Sequence, residues 1–484
     1  MARLIEYRGK QLLKAQGIAV PDGELCHTPD EARSAAARLA RPVVIKSQVL
    51  ETNRARSGGV SFDIADIPAC PVLVEERIPI AREFYAAFVV DDRLRRPMLM
   101  FGGEGGTGVE ERAGAIIRLP VSVTVEPSRE SLEAMARQVM APPSAADVLL
   151  RLWRTARAWE ARSLEINPLA LTPVCRWVAL DCRVSVDDYA VFRHPELGIE
   201  VARELGHPPT ELERVAWMFE RDDYRGTFYF IETPSTAEGI RIGFQGAGGG
   251  GSMAGLDAAA AAGLVAADYT DTSGNPPASK VYRAARIILS LPGIRGYFLT
   301  GPGVASQEQF HFARALVKAF REHPLRVPAV LRLGGNGQEL AVSIIRRYAA
   351  QADVAIEAYT AEESADFCAA RLRTLIEQAS VSSAVAPRKV QPAKPYSFAT
   401  RTGTISYDHA VCTTCESKAC VSACGPGILS TQGGLPVLNI SLDDARRGRC
   451  IECLACEVEC WYQGASGAAI ELPIPGVDPY VDTH

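Results

Sequence analysis

Residues 163–184 read SLEINPLALTPVCRWVALDCRV. Leu164 to Leu169 and Trp177 to Asp181 are apolar, β-prone runs and predict a pair of strands. Each strand carries an acid or amide: Glu165 and Asn167 on the first, Asp181 on the second. Upstream, residues 129–160 have a helical period broken at Pro142-Pro143, and Arg96 to Phe101, Phe84 to Val90 and Val72 to Glu75 predict strands. EGGTGVEE at 104–111 is a Gly/Glu-rich turn. Val43-Val44-Ile45 is a strand running into Lys46, followed by LETNRARSGGVSF, a polar loop closed by Gly58-Gly59. An amphipathic helix over 5–17 ends at Gly17.

Downstream, residues 196–235 form a charged, mostly helical connector, and βα repeats begin at Ile240. Arg241 to Gln245 is a strand, and the glycine turn from Gly246 to Gly255 opens a helix. Gly246, Gly248 and Gly251 match G-x-G-x-x-G, which suggests a dinucleotide site at a helix N-terminus. The sequence offers no acid at the end of the next strand at a convincing distance, which argues against NAD. Further repeats follow at Lys280 to Leu291, Gly296 to Thr300, Gly301-Pro302-Gly303-Val304 and Val327 to Leu340. Residues 381–400 are rich in Ala, Pro, Lys and Ser without a period, the composition of a tether.

Beyond it stand two cysteine runs: Cys412-x2-Cys415-x4-Cys420-x3-Cys424-Gly-Pro and Cys450-x2-Cys453-x2-Cys456-x3-Cys460. This spacing matches two-cluster iron–sulfur proteins, in which the fourth cysteine of each run ligates the other run's cluster. Cys412, Cys415, Cys420 and Cys460 would hold one [4Fe–4S] cluster; Cys450, Cys453, Cys456 and Cys424 would hold the second. Paired Cys-x2-Cys groups also build zinc sites, and eight cysteines could form a disulfide framework in an exported protein. The first run's x4 gap, and Trp461 in place of a proline, depart from the usual pattern.

A chain of 484 residues exceeds one core and implies several domains. Its net charge of −5 advertises no basic surface for nucleic acid or anionic lipid. Neither a signal-peptide h-region nor a membrane-length apolar run is present, so a reducing, cytoplasmic location is expected. Cys26, Cys70, Cys175, Cys182 and Cys368 then read as small buried hydrophobes.

EYRGKQLL at 6–13, VVIKSQV around Lys46, LVEERIPIAREFY at 73–85, SLEINPLAL at 163–171 and ALDCRV at 179–184 occur in the order found in succinyl-CoA synthetase β subunits. To about residue 380 the chain resembles that NDP-forming acyl-CoA synthetase family. The cysteine module resembles the ferredoxin-like modules of electron-transfer flavoproteins and their quinone oxidoreductases, on CTTCESKACVSACGPGIL and CIECLACEVEC. The resemblance implies an α/β multidomain chain. An ATP-grasp domain would span 1–195 and a connector 196–235. A flavodoxin-like, doubly wound CoA-ligase domain would span 236–385, a linker 386–402, and a small α+β 4Fe–4S domain 403–484. It implies that Lys46 contacts nucleotide phosphates and serves catalysis, with Arg54 from the following loop added to the nucleotide site. Glu75 would lie at the adenine hinge and Glu83 on the ribose or phosphate side. Asn167 and Asp181 would coordinate Mg²⁺ of Mg-ATP or Mg-GTP, and Glu165 would face a phosphohistidine. Gly303 and its helix would form an anion site.

Two departures stand out. The loop after Lys46 lacks the family's glycines, and the interval from Lys46 to Glu75 is short, which reduces the small lobe. None of the seven histidines sits in a glycine-flanked turn, so an α-like partner carrying the phosphohistidine and CoA site is implied. The expected function is the β-like half of an acyl-CoA ligase, active in a hetero-oligomer and coupled to electron transfer. The alternative is an electron-transfer subunit, serving a flavoprotein or ferredoxin-linked oxidoreductase, that keeps the synthetase fold as a scaffold.

Overall fold

The computed structural model describes residues 1–50, 58–106, 116–234, 238–301, 308–379 and 395–477. They form two compact units, Met1–Pro209 and Thr210–His484. Arg54 and Gly303, with the loops that carry them, lie outside the described residues.

The first unit holds two antiparallel sheets. The smaller runs in the order Gly23–Cys26, Val72–Glu76, Val43–Ser47, Val60–Ser61. Helix Pro29–Leu39 covers it, started by Pro29 and by the Thr28 hydroxyl, which accepts from the Glu31 amide. Ala32 and Ala35 pack on Ile45, Val72 and Val74.

The larger sheet runs Ala2–Leu4, Cys182–Val186, Ala161–Leu171, Arg82–Asp91, Arg96–Gly102, Ile117–Pro120, and Trp177–Ala179 also pairs with Ala161–Leu171. Leu164, Ile166 and Leu169 are fully buried with Phe84, Phe88, Leu149 and Leu152, beneath helices Arg129–Gln138 and Ala145–Ala158. Alternation about Leu164 and Ile166 turns Glu165 and Asn167 to the opposite face, and the register shift between Phe84 and Ala86 brings Leu169 back to the core.

In the second unit, the stretch expected as a connector holds helix Glu211–Asp222, closed by a Thr210/Glu213 capping box, and strand Tyr229–Glu232. That strand is the antiparallel edge of a sheet whose remaining members are parallel. Along its main path these are Ile240–Gly246, Asp268–Asp271, Tyr297–Thr300, Ala329–Arg332 and Ile356–Tyr359, in spatial order 2-1-3-4-5, and the short strand Leu264–Ala266 also pairs in parallel with Ile240–Gly246. This is the doubly wound, flavodoxin-like order, with its switch point between the first and third strands. Helix Gly249–Ala261 lies close on the sheet at Gly255, where a Cβ would meet the Thr300 Cγ2 at 2.1 Å.

A small α+β module ends the described chain. Strands Pro395–Ala399, Thr404–Asp408 and Ala468–Glu471 form one sheet, and Leu429–Gln432 with Leu435–Leu438 forms a hairpin. The first of these strands occupies part of the expected linker 386–402, because Pro395–Ala399 pairs along its whole length with Thr404–Asp408. Phe398, Ile405, Tyr407, Ile470 and Leu472 share one core with helices Ala278–Leu289 and Gln309–Glu322. Outside the two cysteine runs, Cys26, Cys182 and Cys368 are buried as expected, whereas Cys70 is half-buried and Cys175 is exposed at a turn.

Candidate functional site

Strand register assembles the polar face of the first unit. Ala179 pairs with Leu169 and Cys182 pairs with Ile166, in one continuous antiparallel count across the short break. That count sets Asp181 across from Asn167, and Arg183 pairs with Glu165 on the same face. Two oxygen donors facing each other suit Mg²⁺, which takes one or two protein ligands and fills its octahedron with phosphate and water. Among the described residues no three His, Cys, Asp or Glu side chains group around one ion.

Lys46 lies beside this face, and its ammonium is already engaged. It sits 2.7 Å from Glu75 and 3.0 Å from Glu6, and it donates to the Leu180 carbonyl. Lys10 meets the same groups, at 2.7 Å to Glu6, 2.6 Å to Glu75 and 2.7 Å to the Leu180 carbonyl. All four side chains are buried. Burial alone would lower the Lys46 pKa, but the carboxylates of Glu6, Glu75 and Asp181 overcome it and hold the amine charged. The Glu75 carboxylate, expected at the adenine hinge, is thus turned onto two ammonium groups. Sequence reasoning singled out the Glu6–Leu13 segment but gave Glu6 and Lys10 no role. The signal was there: an i,i+4 Glu–Lys pair on the inner side of an amphipathic helix.

Glu83 and Asn167 are linked through the glycine turn. The Asn167 Oδ1 accepts from the Gly106 amide at 2.7 Å, and the Gly105 amide donates to the Glu83 carbonyl at 3.2 Å. Gly106 has φ of +86°, and a Cβ there would stand 3.0 Å from the Glu83 Oε2. Glu165, Glu6, Arg183 and Arg3 line a cleft of about 190 Å³ on the sheet's polar side.

In the doubly wound domain an acid does end the second strand. Asp271 closes Asp268–Asp271, and its Oδ1 accepts from the amides of Gly248 at 2.9 Å and Ser273 at 2.8 Å. The sequence reading missed it because the strand is only four residues long. Here the carboxylate binds the glycine turn itself, which satisfies an amide that a dinucleotide phosphate would otherwise take.

The eight module cysteines are close in two sets. Burial is the first cause that raises Cys412, Cys420, Cys450, Cys453, Cys456 and Cys460, whereas at Cys415 burial is outweighed by hydrogen bonds from the Lys418 amide, the Ser417 hydroxyl and the Ala465 amide, which hold that thiol below its ordinary value. The thiols that add to burial are Cys460 and Cys415 for Cys412, and Cys460, Cys412 and Cys415 for Cys420. They are Cys453 and Cys424 for Cys450, and Cys453 and Cys450 for Cys456. Backbone N–H groups point at the sulfurs: Glu452 to Cys450, Ala455 to Cys453, Lys418 and Ala465 to Cys415, and Ser466, Gly467 and Ala468 to Cys460.

Residues 3–69 and 65–171 match the family model described as an ATP-grasp domain. The succinate–CoA ligase [ADP-forming] β subunit of Ignicoccus hospitalis is 31% identical over 375 residues, covering 71% of this chain and 93% of that protein. The succinate–CoA ligase [GDP-forming] β subunit of Thermus thermophilus is 29% identical over 366 residues, with the same coverage. The structure of Methanosaeta concilii ATP citrate lyase has the same overall fold, with a TM-score of 0.57 at 17% identity, covering 76% of this chain and 98% of that one. An ATP-grasp domain leading into a doubly wound domain defines the class. Within it, the chain belongs to the succinate–CoA ligase β-subunit family. No helix among the described residues is long and apolar enough to cross a membrane.

Proposed function

We propose that the chain is the β-like subunit of an NDP-forming acyl-CoA ligase, binding Mg-ATP or Mg-GTP and joined to a two-cluster iron–sulfur module. The observation that supports the ligase half best is the shared face of Glu165, Asn167 and Asp181, with the charged Lys46 beside Asp181. Mg-nucleotide would supply the phosphoryl group. Asn167 and Asp181 would hold its metal, Lys46 would neutralise phosphate charge on leaving Glu75, and Glu165 would meet the phosphohistidine of an α-like partner that also carries the CoA site. Glu83 would orient the nucleotide from the Gly105–Gly106 turn.

Support for two [4Fe–4S] clusters is the division of the thiols into Cys412, Cys415, Cys420, Cys460 and Cys424, Cys450, Cys453, Cys456, with amides aimed at sulfur.

The ion-paired Lys46 and Glu75 favour a second reading, in which the synthetase fold is a scaffold for an electron-transfer subunit with a flavoprotein or oxidoreductase partner. One anaerobic preparation of the co-purified complex separates the two. Iron and sulfide with calorimetric Mg-ATP binding support the ligase; iron and sulfide without nucleotide binding support the carrier.

A further inference from the structure

Glu452 stands between two cysteines of the second run, in Cys450-Ile451-Glu452-Cys453, yet its side chain is fully buried and is held jointly by the doubly wound domain and by the module's own Thr400–Thr402 turn. Its carboxylate accepts five hydrogen bonds. Arg225 donates at 2.6 Å, the Ser279 hydroxyl at 2.9 Å, the Thr400 hydroxyl at 2.7 Å, and Thr402 through its amide at 2.6 Å and its hydroxyl at 2.9 Å. Two oxygens with about four lone-pair directions are thereby saturated.

The socket that receives it is rigid. Arg225 is held by Asp223 at 2.8 Å, and the buried Lys280 ammonium donates to the Asp223 and Gly226 carbonyls at 2.6 Å each. Gly226 packs so closely on the Ser273–Pro276 loop that a Cβ would lie 3.1 Å from the Pro276 Cα. Arg283, also buried, donates to the Thr402 hydroxyl at 3.0 Å and to the Thr402 carbonyl at 2.8 Å. The same loop begins at Asp271, which holds the glycine turn. The stretch Asp271–Ser279 therefore runs from the glycine-turn edge of the parallel sheet to the cysteine module.

At the other end, Glu452 has φ of +54°, a conformation a residue with a Cβ keeps only when its surroundings fix it. In that conformation its own amide points at the Cys450 sulfur. The anchored carboxylate and the aimed amide belong to one residue.

We propose that Glu452 is the positioning residue through which the doubly wound domain sets the ligand loop of the second cluster, using Arg225 and Ser279 as its sockets. The proposal rests on the two-cluster reading. It makes the module a fixed part of the domain.

The test is made on the full chain with Glu452→Gln and Arg225→Met. After anaerobic reconstitution, the wild type should hold about eight irons, two [4Fe–4S] clusters' worth. Both variants should fall towards half, losing the electron paramagnetic resonance signal of one reduced cluster and keeping the other. A second readout needs no iron. Alkylation of the metal-free chain, mapped by mass spectrometry, should quicken several-fold at Cys450 and Cys453 in both variants and stay unchanged at Cys412 and Cys420. Uniform alkylation rates across wild type and variants would overturn the proposal whatever metal the chain binds. A wild type that takes up zinc and no iron would overturn the two-cluster reading, leaving the alkylation pattern to decide whether Glu452 positions the loop.

Discussion

Lys46 and Lys10 converge on one carboxylate: their ammonium groups lie 2.7 Å and 2.6 Å from the two oxygens of Glu75, deep between the Glu6–Ala15 helix and the small sheet. With Glu6, the four form a charge-balanced, buried quartet. Their shared acceptor, the Leu180 carbonyl, is one residue from Asp181. The structure thus joins the start of the chain to the strand face that carries the proposed metal ligands.

Removing one member strands a buried charge, which costs about 3–5 kcal/mol. Lys46→Met should lower the stability of the first unit by that order in urea unfolding and abolish calorimetric Mg-ATP binding. Glu75→Gln should be destabilising too, and the double variant should lose clearly less than the two singles together, since each single change leaves the other partner uncompensated. A fully additive pair would show that the quartet is not coupled. Mg-ATP binding that survives in a folded Lys46→Met chain would remove Lys46 from the nucleotide site.

Most strands of the larger sheet, the Gly246–Gly255 turn and both cysteine runs were legible in the sequence because each follows a local rule: alternation, punctuation or spacing. That Glu165 and Asn167 share a strand face was also legible, since a two-residue period fixes it, while the roles given to them and to Asp181 came from the resemblance alone. Three things were not. The roles of Glu6 and Lys10 depend on a helix packing against a strand far along the chain, with Gly9 close enough that a Cβ would stand 2.9 Å from the Cys182 sulfur. Asp271 ends a strand too short to show a period. The docking of the module rests on the half-buried Arg225 and the buried Ser279, Lys280 and Arg283, polar residues whose types alone predict exposure.

Asp268 supplies a pH-dependent test of the doubly wound domain. Burial raises its carboxyl to about 7, despite hydrogen bonds from the Thr270 hydroxyl and the Phe244 amide. The folded chain therefore holds this proton more tightly than the unfolded chain, whose value is near 3.8. The associated stability is complete below about pH 4 and is lost as pH rises through 7, at about 1.4 kcal/mol per pH unit in between. Asp268→Asn has no such titration, so its stability relative to wild type should climb from pH 4.5 to pH 7 and then level off. Parallel urea midpoints for the two proteins across that range would show that Asp268 does not titrate there.

The crossed ligand sets give a sharp prediction about iron. Cys460 closes the second run in sequence, yet the thiols it raises are Cys412 and Cys420, members of the first, and the proposed cluster sets cross accordingly. Cys460→Ala should therefore impair the same cluster as Cys412→Ala, and Cys424→Ala the same one as Cys450→Ala. Each change should leave about half the wild-type iron, and the surviving paramagnetic signal should be common to each crossed pair. Signals shared instead between Cys460→Ala and Cys450→Ala would mean that each run closes its own site.

Lys318 provides the strongest test that the module is built into the second unit. Its side chain is fully buried on helix Gln309–Glu322, 3.0 Å from Glu457 and 2.6 Å from Glu322. Glu457 lies on helix Ala455–Gln463, between Cys456 and Cys460, and it accepts from the Ile470 amide at 3.1 Å. One ammonium thus bridges the doubly wound domain to the helix that carries two cysteines. Lys318→Met leaves Glu457 buried without its counter-charge and should cost about 3–5 kcal/mol. Adding Glu457→Gln removes the stranded charge and should recover a large part of that loss, because a neutral amide can still take the Ile470 amide bond. Circular dichroism in urea on the metal-free full chain measures both. If Lys318→Met unfolds like wild type, the ion pair carries no stability, and the contact between helix and module rests on its apolar core alone.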